Sequence, residues 1–150
     1  MTLRWLLASL HLLGLGIGLG AVWARGRALN GDLDRAGLRR VFVADTWWGV
    51  AAALWIVTGL IRAVGGFEKG TAYYLHNDAF LVKMALLLVI LVIEIRPMVT
   101  LIRWRAQVSR GEVPTSLTAA RAMARISYLE AGLVVLMVLA ATAMARGLGV

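Results

Sequence analysis

Four long apolar runs limit what this chain can fold into. They cover residues 3–23, 41–64, 79–95 and 126–145. Each is close to the roughly 20 residues an α-helix needs to cross a bilayer's hydrocarbon. Inside lipid, only helices and closed barrels satisfy every backbone N–H and C=O, and these runs lack the strict alternation of a barrel strand. The reading is an all-α integral membrane protein, an antiparallel four-transmembrane-helix bundle forming one domain over 1–150. Its helices are expected at about 3–23, 41–64, 79–95 with an amphipathic continuation to 104, and 117–145. Short connections make consecutive helices antiparallel.

Composition supports this. The 150 residues are 61% hydrophobic and 16% charged, far more apolar than a typical soluble domain. There is no cysteine, which removes disulfides, thiolate metal sites and CxxC chemistry. The formal charge of +8 is distributed unevenly. Arg25, Arg27, Arg35, Arg39 and Arg40 fall in or beside the first connection, and Arg96, Arg103, Arg105, Arg110, Arg121 and Arg125 flank the third. By the positive-inside rule both termini lie outside, in what we read as a bacterial inner membrane. These arginines set topology and meet anionic lipid, so nucleic acid is not the expected partner. The first run is read as a retained helix rather than a cleaved signal peptide. Trp23 spoils the small-residue cleavage pattern, and basic residues follow at once.

Turn and cap chemistry fits the runs. Asn30, Gly31 and Asp32 suit a turn after helix 1, with a short surface helix expected near 33–41. Pro97 falls where helix 3 either kinks or ends, and Ser116 is a plausible N-cap for helix 4.

Few residues can carry chemistry. On helix 1, His11, Gly14 and Gly18 share one face, while Gly16 and Gly20 form a second GxxxG row on an adjacent stripe. Such rows usually serve close helix packing. Beside an intramembrane histidine they would also leave clearance for a flat macrocycle such as haem. Helix 2 aligns Asp45, Trp48, Ala52, Trp55, Gly59 and Arg62 on one heptad-like face. On helix 3, Lys83 and Glu94 are about three turns apart and share a face. Lys83 either snorkels to the interface or faces a site, and Glu94 is expected to pair with Arg96 at the inner boundary. On helix 4, Glu130 is expected to meet Arg96, Arg125 or solvent, with a proton-relay role as the alternative. The connection 66–78 adds Lys69, Tyr73, Tyr74, His76 and Asn77. Zinc motifs, a P-loop, GxSxG and paired glycosidase carboxylates are absent.

From Asp45 onward the chain resembles a bacterial family of uncharacterised four-helix membrane proteins, through "VTGLIR" (57–62), "KGTAYYLHNDAFLVK" (69–83), "IRPMV" (95–99) and "RWR" (103–105). That resemblance implies a membrane helical bundle. More distantly, the chain is similar to the four-helix membrane protoporphyrinogen IX oxidases, through "SLHLLGL" on helix 1, "TGL" on helix 2 and "FLVKMALLLVILVIE" on helix 3. The second likeness implies His11 and Lys83 as haem and porphyrin residues.

Two functions are expected. One is a non-catalytic helical subunit packing within a larger membrane complex, or with itself, through GxxxG faces. No catalytic residues are assigned, and the reading leans away from an enzyme. The alternative is a membrane protein binding haem b, for electron transfer or porphyrin handling. His11 would be its iron ligand, with Lys83 or His76 as second ligand or polar partner. Arg62, Lys69 and Tyr74 would hold the propionates.

Overall fold

The computed structural model describes residues 2–64, 77–114 and 116–147. Among them the chain forms four helices: α1 (Thr2–Leu29), α2 (Arg35–Val64), α3 (Asp78–Ser109) and α4 (Leu117–Ala145). All four are long and apolar enough to cross a membrane. Each also overshoots it: the 32 residues of α3 span about 48 Å, against roughly 30 Å of hydrocarbon. The surplus is resolved at the end carrying the 30–34 and 110–116 connections, called here the basic end. The opposite end carries both termini.

Local chemistry sets the boundaries. Nothing breaks α1 until Asn30 and Gly31, so it runs past Trp23 to Leu29 and carries Arg25 and Arg27 inside the helix. The Asp34 carboxylate accepts the Gly37 N–H at 2.7 Å and closes the first turn of α2. Residues 33–41 therefore do not form a separate surface helix. From Arg35 they are the opening turns of α2, because Leu38 and Val41 bury their side chains in the bundle. Asn77 caps α3 through a 3.1 Å bond from Phe80 N–H, and Ser116 caps α4 as expected. The helix α3 continues through Pro97 to Ser109, beyond the expected 104. Pro97 itself is buried against neighbouring helices, and that packing offsets its missing N–H.

The helices pack in the order α2–α1–α4–α3, with α1 against α2 and α4, and α4 against α3. Although consecutive, α2 and α3 have almost no backbone contact. Of the four, α3 is the least buried. Two apolar layers fill the interior. The membrane layer holds Val22, Trp48, Trp55, Ile90, Val134 and Met137. The layer at the basic end holds Leu29, Leu38, Val41, Leu101, Trp104 and Met123. Gly14 and Gly18 let α1 approach α2 closely. A Cβ on Gly14 would stand 3.3 Å from the Ala51 carbonyl oxygen, and one on Gly18 would stand 3.2 Å from the Trp48 ring.

Candidate functional site

Between the two apolar layers lies a layer of charge centred on Arg25. Its guanidinium is fully buried, an expensive position unless every polar contact is made. Every contact is made. Nε donates to Ser127 Oγ at 3.0 Å. Nη1 donates to Asp45 Oδ1 at 2.9 Å and to Glu94 Oε1 at 2.7 Å. Nη2 donates to Glu94 Oε2 and to Glu130 Oε2, both at 2.7 Å. A guanidinium has five N–H donors, and all are used. One side chain from α1 thus ties down α2, α3 and α4, with the bidentate geometry reserved for Glu94. The Ser127 hydroxyl in turn donates a hydrogen bond to the Met123 carbonyl at 3.0 Å.

A second arginine supports the layer from its edge. Arg105 of α3 donates to Asp45 Oδ2 and to the Phe42 carbonyl, both at 2.9 Å, and its guanidinium stacks on the Phe42 ring. Three carboxylates therefore meet two guanidiniums. Glu130 is wholly buried, and its Oε1 has no hydrogen-bond partner among the described residues.

The partners differ from those expected. Glu94 pairs with Arg25 instead of Arg96. Glu130 meets Arg25 instead of Arg96, Arg125 or solvent. Arg25 is a core residue, not a loop charge. The missed signal was periodicity: His11, Gly14, Gly18 and Arg25 continue one face of α1 at helical spacing.

The second polar site lies about 21 Å along α1 from Arg25, at 1.5 Å per residue. His11 is buried there against α2. The Trp55 indole N–H donates to its Nε2 at 3.1 Å, so Nε2 is an acceptor and the ring proton sits on Nδ1. Nδ1 lies 3.0 Å from both the Trp55 carbonyl and Thr58 Oγ1. The Thr58 hydroxyl in turn donates to the Leu54 carbonyl at 2.7 Å. Gly59 makes room for the imidazole, since a Cβ there would lie 3.0 Å from His11 Cε1. In the sequence Trp55 stands out only as part of a stripe and Thr58 only as the start of the "TGL" segment, neither as a partner of His11.

Beside His11, residues of all four helices line a partly open cavity of about 390 Å³. Its walls are mostly apolar, from α1, α2 and α4. Arg62 of α2 and Lys83 of α3 add two cations. The structure thus brings together His11, Arg62 and Lys83, three of the candidate site residues. Lys69, Tyr74 and His76 lie outside the described residues. A haem iron would need a nitrogen of His11, and both are engaged by α2, so His11 as it stands does not fit as an iron ligand. The two cations and the apolar walls fit an acid-bearing amphiphile without any metal. Among the described residues no group of three or more acidic, His or Cys side chains is placed to hold a metal ion.

A family model for predicted membrane proteins, DUF2214, matches residues 3–149. The chain belongs to that family. Membership agrees with four spanning helices in a lipid bilayer. No curated protein and no solved structure matches the chain, and nothing found supports the more distant likeness to the protoporphyrinogen IX oxidases.

Proposed function

We propose that this DUF2214 protein is a non-catalytic membrane protein that binds an acidic amphiphile in the cavity at its termini end, with both termini outside. The supporting observation is that Arg62 and Lys83, from two different helices, line one apolar cavity beside His11. Two cations beside apolar walls suit a molecule with a carboxylate or phosphate head and a hydrocarbon or flat aromatic body. A porphyrin dicarboxylate belongs to this class, with its acids on Arg62 and Lys83 rather than its centre on His11.

The experiment is a fluorescence titration of the purified protein with metal-free protoporphyrin, competed by a long-chain fatty acid. Each charge-assisted contact is worth roughly 1.5–3 kcal/mol, so Arg62→Gln or Lys83→Met should each weaken binding by about ten- to a hundredfold. Equal binding of the dimethyl ester, or unchanged binding in both variants, would refute the reading. Adding haem tests the iron-binding alternative. A Soret shift lost in His11→Ala would mean that the imidazole leaves Trp55 to take iron.

A second reading, a subunit that packs against other membrane helices or a second copy, rests on Gly16 and Gly20. Unlike Gly14 and Gly18, they face outward, with nothing within 4 Å of an added Cβ. Together with Ala24 they leave a small-residue row on the outer surface of α1 that no helix among the described residues covers. Gly16→Leu together with Gly20→Leu should abolish any larger species seen in mild detergent. A protein that is monomeric and partnerless in native-membrane extracts would count against this reading.

A further inference from the structure

A groove on the surface of α1 and α2 shares no lining residue with either polar site. It runs between α1 and α2 at the basic end, with a volume of about 820 Å³. Its two ends differ in chemistry. Arg27, Arg39 and Arg40 stand at the end nearest the 30–34 connection, while Ile17, Val43 and Trp47 line the part that runs toward the membrane centre. None of these three arginines forms an ion pair among the described residues, and all three are exposed. Asp32 and Asp34 lie in the connection, but with Arg35 the segment holds four cations against two acids. From Arg27 to Ile17 the groove follows α1 for about 15 Å at 1.5 Å per residue, which is half of a hydrocarbon core of roughly 30 Å.

We infer that this groove is a binding site for one acidic phospholipid, its phosphate held by Arg27, Arg39 and Arg40 and an acyl chain lying along Ile17 and Val43 beside Trp47. Charge complementarity selects the occupant. Zwitterionic lipid would fill the apolar part equally well but would bring a cation of its own to three guanidiniums. Arginine suits the role because its planar fork grips phosphate oxygens in pairs. Basic pockets between membrane helices at an interface recognise acidic head groups by this combination. The site is independent of the amphiphile cavity, which lies at the other end of the bundle.

Trp47 provides the readout. Wild-type protein and Trp47→Phe are reconstituted in vesicles holding equal mole fractions of brominated phosphatidylglycerol or brominated phosphatidylcholine. The emission lost in Trp47→Phe reports quenching in the groove. We expect the acidic lipid to quench it several-fold more, and the preference to vanish in R39Q/R40Q. It should persist in R103Q/R121Q, which removes two exposed arginines from the same end but outside the groove. Equal quenching by the two lipids in the wild type overturns the site. So does an equal loss in R103Q/R121Q, which would show only a diffuse surface charge. Native mass spectrometry of the wild type provides a test that needs no variant: one retained phosphatidylglycerol per chain supports the site, and none retained overturns it.

Discussion

Replacing Arg25 by methionine tests whether the charged layer holds the bundle together. The substitution keeps much of the side-chain volume and removes all five donors. Asp45 would keep Arg105 at 2.9 Å, but Glu94 and Glu130 would lose their cation. Glu130 is the worse placed, because its carboxylate is wholly buried and one oxygen already lacks a partner. Removing one side of a buried ion pair costs about 3–5 kcal/mol. That is a large fraction of a typical stability of roughly 5–15 kcal/mol. On the scale of soluble domains of this length it lowers the melting temperature by on the order of 10 °C. Thermal unfolding in mild detergent, followed by tryptophan emission, measures it. The cost should come from stranded carboxylates rather than lost packing, so Arg25→Met with Glu94→Gln and Glu130→Gln should recover most of the loss. A melt of Arg25→Met within a degree of wild type would refute the reasoning, as would a triple variant no better than Arg25→Met alone.

Further substitutions probe other contacts by the same melts. Arg25→Lys, with three donors for four partners, should fall between wild type and Arg25→Met. Trp55→Phe removes the donor to His11 Nε2 and should cost about 1–3 kcal/mol, the penalty of an unsatisfied buried group. Gly37→Ala would drive a Cβ into the Asp32 carbonyl and should destabilise the start of α2. Gly18→Leu should separate α1 from α2 and lower the melt, whereas Gly16→Leu should leave the monomer's melt unchanged.

The membrane helices were legible because hydrophobic length is a local property. Ser116 as a cap was legible for the same reason. The charged layer was not. Each of Asp45, Glu94 and Glu130 lies close enough to a helix end to be solvated or paired with a nearby arginine, and composition alone cannot choose between these. The deciding fact is that α1 continues through Arg25, which moves that charge from a loop to the one face where three carboxylates converge. Loop and core readings of Arg25 differ by a single turn of helix, and helix ends are the least certain feature of any sequence reading. His11 was legible as an intramembrane polar residue, but its partners depend on the rotation of α2, which spacing leaves open. Arg62 and Lys83 reach the same cavity because topology brings the end of α2 and the start of α3 to one side of the membrane.

The two polar layers give the ends of the bundle different mechanical properties. At the basic end Arg25 bonds to three helices, and Arg105 ties α3 to α2. Over their lengths α2 and α3 have almost no backbone contact, and Lys83 approaches the cavity from the least buried helix. Loosening the basic end should therefore open the other end without unfolding the protein. Arg105→Gln is the suitable perturbation. The Arg105 side chain is 38% exposed and Asp45 retains Arg25, so the stability cost stays near the roughly 1 kcal/mol of a surface pair. Released from Phe42 and Asp45, α3 can tilt away from α2, and its far end moves most. A Lys83→Cys variant labelled with a water-soluble maleimide in intact membranes reports that movement. Labelling should be faster in Arg105→Gln than in its parent, while the melt shifts by only a few degrees. Equal labelling rates would mean that α3 is held at its far end by contacts of its own, and the bundle would then be uniformly rigid.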